Sequence, residues 1–191
     1  MQNKIAPLLI LLLLITTTVS AQKYKSTQNS VTSKQWEDQA FSSIKSFAEN
    51  IAEVPQFSIL AETLKNKALA QMLESQEMVT IFAITDAGFN SLPKKERNTV
   101  LKNPALMSSI VKYLSVPGRM DSYTIKTMVE KNGGTAYFST LNGEKLAIKN
   151  VNGQLTLFDA ENNTATITAP DFYHKNGFFH IVNGVVIPAS K

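Results

Sequence analysis

The sequence predicts an α+β fold in one domain, on three observations. Two amphipathic helical stripes occupy the first half, and a single apolar run, Val79 to Ile84, follows them. After Gly133-Gly134, short β-rich runs alternate with Asn-Gly pairs. With 191 residues, 43% of them apolar, the chain can build one core of ordinary size but not two large ones. No internal repeat is visible, which sets aside solenoids and propellers.

Residues 1–21 read as a secretory signal peptide. Lys4 gives a minimal positive start, Leu8 to Ile15 are uninterrupted apolar residues, and Ala21 ends a run of small side chains suited to cleavage. A membrane anchor needs about 18 apolar residues, and Thr16 to Thr18 cut the run short, so the mature chain is expected not to span a membrane. Residues 22–34 are rich in Ser, Thr, Gln and Asn with Val31 the lone aliphatic, and read as a flexible spacer. Residues 35–191 form the domain.

Within it, Trp36, Ala40, Ile44, Phe47 and Ile51 recur at helical spacing, and Pro55 interrupts. A second helical stripe runs through Phe57, Leu60, Leu64, Ala68 and Met72. Val79 to Ile84 is apolar on both faces of an extended chain, which predicts an inner strand covered from both sides. Thr85 or Asp86 can then cap a short helix carrying Phe89 and Leu92. Asn103-Pro104 opens another helix with Met107, Ile110, Val111 and Leu114 as its stripe, and Pro117-Gly118 turns the chain out of regular structure. Strands are expected over Thr135 to Leu141, Lys145 to Val151, Gln154 to Phe158 and Ala165 to Thr168, with hairpin turns at Asn142-Gly143 and Asn152-Gly153. The last run, Phe178 to Ile187, follows Asn176-Gly177 and is broken once at Asn183-Gly184.

Composition excludes several chemistries. There is no cysteine, hence no disulfide framework, thiolate zinc site, iron–sulfur cluster or cysteine nucleophile. A formal charge of +4 spread over a whole domain is too small for a nucleic-acid binder. No Gly-x-Ser-x-Gly elbow and no glycine-rich phosphate cradle occur. Export without cysteine is common in bacterial exported proteins and less so in eukaryotic secreted ones, so a bacterial source is expected, whereas Asn162-Asn163-Thr164 would accept a glycan only in a eukaryotic pathway and otherwise reads as a turn.

Three segments resemble the fasciclin-type domain family. Thr80-Ile81-Phe82-Ala83-Ile84-Thr85-Asp86 with Phe89 and Leu92-Pro93 is similar to its first signature block. Asn176-Gly177-Phe178-Phe179-His180 through Val185-Val186-Ile187-Pro188 is similar to the second, and Tyr113-Leu114-Ser115-Val116-Pro117-Gly118 to the Tyr-His-x-x-Pro-Gly segment between them. The likeness covers about 43–189. It implies a wedge-shaped β-sandwich with N-terminal helices packed at one end, in an exported or surface-attached protein that adheres rather than catalyses. Ile84 stands where the family has proline and Leu114 where it often has histidine. No Arg-Gly-Asp occurs either, so integrin-type adhesion does not follow.

From the resemblance, Thr80, Phe82, Thr85, Asp86, Phe89, Pro117, Gly118, Asn176, Gly177, His180 and Pro188 are expected to be structural. Tyr113, Leu114, Lys94, Lys95 and Arg97 are the candidate interaction residues. Both faces around His180 are apolar, which predicts a neutral core histidine bonded to backbone or hydroxyl. Asp171, His174 and His180 could be entertained as metal ligands, but six residues of strand separate the histidines by roughly 20 Å, and no recognisable ligand set supports them. No metal or other cofactor is expected. Phe172, Tyr173, Phe178 and Phe179 crowd one window and read as core or as the lining of an apolar groove. The expected function is therefore binding, periplasmic or extracellular, to a protein or polysaccharide at a surface or in a matrix, with a homodimer as one way to supply a second site. The alternative is a soluble carrier of a lipid or carotenoid.

Overall fold

Over residues 31–189, which the computed structural model describes, the chain opens with a β-hairpin where the first helical stripe was expected. β1 (Ser33–Trp36) pairs antiparallel with β2 (Gln39–Ser42), and Glu37 takes a φ of 50° in the turn. The stripe misleads because it omits Phe41. That ring is buried and packs edge-on against Phe172 and Phe179 at 5.1 and 4.9 Å, while Ala40 and Ile44 are exposed. Ser33 and Lys34 pair with Ser42 and Phe41, so ordered strand begins inside the expected spacer. Residues 1–21 and the rest of that spacer up to 30 lie outside the described residues.

The first helix, α1 (Phe47–Ala52), starts at a capping box in which Ser46 and Glu49 exchange side-chain bonds with each other's backbone N–H. A 3₁₀ turn (Pro55–Phe57) leads into α2 (Ser58–Leu64) and α3 (Lys67–Glu74). The second stripe was expected to be continuous, but Asn66 splits it. Its side chain accepts from the Ala68 and Leu69 N–H groups and restarts the helix in a new phase, burying Leu69 and Leu73 in place of Ala68 and Met72.

β3 (Val79–Ile84) is buried throughout, as its two-faced apolar sequence requires. After it come α4 (Asp86–Asn90), α5 (Lys94–Leu101) and α6 (Pro104–Tyr113), the last with Asn103 as cap and Pro104 in its first turn. β4 (Ser115–Pro117) follows, and then a helix absent from the sequence expectations, α7 (Ser122–Lys131), capped by Asp121. β5 (Thr135–Ser139), β6 (Lys145–Val151), β7 (Gln154–Phe158), β8 (Thr164–His174) and β9 (Gly177–Val182) complete the order. β6 and β7 match expectation, and Asn152-Gly153 turns between them with φ of 51° and 87°. β8 runs six residues beyond the expected Thr168, bent by a bulge in which Asp171 takes a φ of 64°. The final run leaves the ladder after Val182, since the Ile187 N–H goes to the Asp159 carboxylate.

The larger sheet has seven strands in the order β4-β3-β9-β8-β7-β6-β5, antiparallel except for the β3–β9 pair. It curls almost into a barrel, for the Leu141 N–H beyond β5 donates to the Ser115 carbonyl of β4 at 2.8 Å. Alternation along β3 and β9 divides the apolar interior in two. Val79, Ile81, Phe179 and Ile181 face a core with Phe41, α1, α2 and α3. Phe82, Ile84 and Val182 face a second core built with α6, α7 and the inner sides of β5 to β8.

Candidate functional site

Thr80, Gly118 and His180 meet in one hydrogen-bonded network around β3 and β9. Thr80 Oγ1 donates to the Gly118 carbonyl at 2.8 Å and accepts the Met120 N–H at 2.9 Å. From the neighbouring strand, His180 reaches the same residue, with Nε2 3.0 Å from the Met120 carbonyl. His180 Nδ1 accepts the Asp171 N–H at 3.1 Å, so Nε2 carries the proton and donates. The ring is fully buried and stacks on Phe82 at 5.5 Å. Burial holds its pKa below the ordinary histidine value against the opposing pull of the Met120 carbonyl and Asp171.

Thr85 and Asp86, expected to serve one helix between them, serve two. Thr85 Oγ1 accepts the Gly88 N–H and caps α4. Asp86 turns away to the start of α2, where its carboxylate accepts the Ser58 and Ile59 N–H groups at 3.2 and 3.0 Å and the Ser58 hydroxyl. Asn176 Nδ2 donates to the Leu73 and Gln76 carbonyls, closing the end of α3. Gly177 lies so close to β3 that a Cβ there would sit 1.9 Å from the Val79 carbonyl oxygen. Phe89 and Pro188 are buried, and Pro117-Gly118 ends β4 with the Gly118 N–H on the Met78 carbonyl.

Two expected interaction residues are not available to a partner. Tyr113 and Leu114 are 3% and 1% exposed, part of the core against α7 and the sheet, because α6 turns its apolar stripe inward at this end. Burial, with Asp159 and Glu144 nearby, pushes the Tyr113 hydroxyl up to about 12. The basic cluster is split. Lys94 and Lys95 are exposed on the first turn of α5, with no carboxylate in ion-pair range among the described residues. Arg97 is half-buried and donates to the backbone and side-chain oxygens of Asn90. Beside this helix an open groove of about 330 Å³ runs between Ile59, Thr63, Leu101 and Met107.

The histidines do not share a site. His174 packs on Phe47 and Phe179 in the core beside α1, whereas His180 packs on Phe82 on the other side of the sheet. Among the described residues, no group of three His, Asp or Glu side chains is placed to hold a metal ion. His174 Nε2 is 3.2 Å from the carbonyls of both Val79 and Phe178 and donates to them, which leaves Nδ1 buried without a partner among the described residues. Burial lowers its pKa to about 4.

The structure does bring Ser122, Asp171 and His180 together, a grouping that nothing in the sequence pattern indicates. Ser122 Oγ donates to the Asp171 carboxylate at 2.6 Å and its N–H does so at 2.7 Å, which secures the start of α7. The hydroxyl proton faces a carboxylate, and both nitrogens of the imidazole are spent on backbone, so the arrangement of an activated serine nucleophile is not present. The only sequence hint of α7 was Ile125, Met128 and Val129 at helical spacing behind Asp121. The aromatic window also resolves into packing. Phe172 and Phe179 stack at 5.2 Å in the core, and Tyr173 and Phe178 pair beneath Arg119.

A family model described as Fasciclin domain matches residues 55–188. The chain is 28% identical over 136 residues to transforming growth factor-beta-induced protein ig-h3 of Sus scrofa, covering 71% of this chain but only 18% of that relative's length. It is 26% identical over 174 residues to Protein sll1483 of Synechocystis, covering 90% of this chain and 87% of the relative. A FAS1 domain pair from the insect cell adhesion molecule fasciclin I superposes with a TM-score of 0.61 at 13% identity, over 75% of this chain and 51% of that one.

Proposed function

The chain belongs to the fasciclin domain family, and from that premise we propose that it is an exported, non-enzymatic binding domain that works at a cell surface or in a matrix. The observation that carries this reading is the fate of the motif side chains. Thr80, Thr85, Asp86, Asn176 and His180 direct polar atoms to groups within the fold, mostly backbone, so what the domain offers a partner is its exposed surface. Similarity to a domain pair of the insect cell adhesion molecule fasciclin I supports the same class of role. Lys94 and Lys95, exposed and unpaired on α5 among the described residues, are the contacts we assign to an acidic protein or polysaccharide. Adhesion bridges two surfaces, which requires either a second face on this domain or a homodimer.

Retention of the fluorescently labelled mature chain on host cells, matrix extract and a polysaccharide panel tests the reading. Saturable binding that weakens with salt is expected. Failure to bind any of the three would overturn it.

A further inference from the structure

We propose that the outward face of β5, β6 and β7 is a second binding surface, a platform for an acidic polysaccharide with Tyr137 as its stacking residue and Lys145 and Lys149 as its cations. It rests on the binding reading above and names a ligand class for it. Inward positions of these strands, Phe138, Ile148 and Leu157 among them, are buried in the core, so strand alternation turns their neighbours outward.

Register then sets two rows across the strands. One runs Tyr137, Ala147, Phe158, and the other Thr135, Lys149, Thr156, continuing to Thr166 on β8. Tyr137 is 64% exposed. The small Ala147 lies between the two rings, and two strand spacings put Tyr137 and Phe158 about 10 Å apart. A pyranose ring would lay its C–H face on Tyr137, the ring of this row left open once Lys149 covers Phe158, and its hydroxyls would meet Thr135, since Thr156 is buried and bonded to Thr166.

Charge complementarity selects an acidic chain. Lys149 is pinned, its Nζ 4.5 Å above the Phe158 ring, so little side-chain freedom remains to be lost on binding. Neither lysine has a carboxylate in ion-pair range among the described residues. Glu144, next to Lys145 in sequence, directs its carboxylate to the Asn142 amide and the Ala189 N–H. Two cations are too few for the phosphate track of a nucleic acid.

Titration of the mature chain with polygalacturonate, with neutral dextran and an oligothymidylate as comparisons, tests the assignment. Tyr137→Ala should weaken polygalacturonate binding roughly tenfold without moving the melting temperature, whereas Tyr137→Phe, which keeps the ring, should bind as wild type. The Lys145→Ala/Lys149→Ala double variant should flatten the salt dependence. Full retention of binding by Tyr137→Ala, with loss confined to Lys94→Ala/Lys95→Ala, overturns the platform and leaves the binding reading standing. So does adhesion to matrix protein with no affinity for polygalacturonate, or tighter binding to dextran or the oligothymidylate.

Discussion

Thr80 and His180 hold opposite ends of one residue. The Thr80 hydroxyl oxygen accepts the Met120 N–H, and the His180 ring donates to the Met120 carbonyl, so the two signature blocks meet on a segment that belongs to neither. That segment leads directly into α7, and its geometry sets where the helix begins. Since β3 and β9 already pair side by side, the grip on Met120 locks the β4–α7 connection to both strands at once.

A double-mutant cycle should therefore show coupling. Thr80→Val is expected to cost about 1–2 kcal/mol and His180→Phe about 3 kcal/mol, the latter because it strands the buried Met120 carbonyl and Asp171 N–H. The double variant should lose about 1 kcal/mol less than the sum, measured by urea denaturation. Strict additivity would mean that the two contacts act independently.

Gly177 has no special backbone angle, yet it should be the least replaceable glycine. The Val79 carbonyl occupies the place of its Cβ, and that backbone is held in the parallel β3–β9 ladder. Gly177→Ala is expected to cost more than the roughly 1–3 kcal/mol of ordinary overpacking and to yield little folded protein. Gly153→Ala, in a turn with nothing near the new methyl group, should cost about 1 kcal/mol through its positive φ alone. Near-equal melting temperatures for the two variants would refute the close-approach argument.

Much of the second half of the fold was legible because its signals are local. Asn152-Gly153 demands a tight turn whatever surrounds it, and alternation in Lys145 to Val151 survives any tertiary context. The first hairpin was not legible, since Trp36, Ala40 and Ile44 fit a helix and only the rings waiting around Phe41 decide against one. The motifs marked the right residues without their partners. Nothing beside Asp86 in the chain shows that it caps α2, and nothing beside Asp171 shows that it anchors Ser122, because in each case the other half lies far along the sequence.

Asp86 tests that cross-chain cap. Asp86→Ala removes charge-assisted bonds to two N–H groups and one hydroxyl and should destabilise the domain by about 2 kcal/mol. Thr85→Ala, losing a single cap bond, should cost about 1 kcal/mol. Hydrogen exchange in Asp86→Ala should quicken first over 58–64. Uniform loss of protection would show that the carboxylate does not act on α2.

Mild acid should weaken the fold through its buried histidines. His174 stays neutral in the folded chain down to about pH 4, while the unfolded chain takes up its proton near the ordinary histidine value of about 6.5. Between these limits the unfolded state binds more protons, so stability is full above the upper limit and falls with pH, by on the order of 3 kcal/mol at most. His180, lowered by its own burial, acts in the same sense. Asp121 and Glu49, lowered by bonds from Thr124 and Ser46, add their losses only at more acid pH. His174→Gln should have a shallower urea-midpoint slope between pH 4.5 and 7. An unchanged slope would remove His174 as the cause.

The lysines on α5 separate function from stability. Lys94 and Lys95 lie on its first turn, where unbonded N–H groups make the local field positive, so the helix is placed against its own dipole. Evolution for stability alone favours acidic residues there. Lys94→Glu/Lys95→Glu should therefore raise the melting free energy by about 0.5 kcal/mol at low salt, a gain that salt removes. If these lysines contact an acidic partner, the same variant should bind matrix or polysaccharide more weakly. Stability that rises while binding falls would tie the unfavourable placement to the partner. Stability that rises with binding unchanged would leave α5 a solvated face and shift the work to other surfaces of the domain.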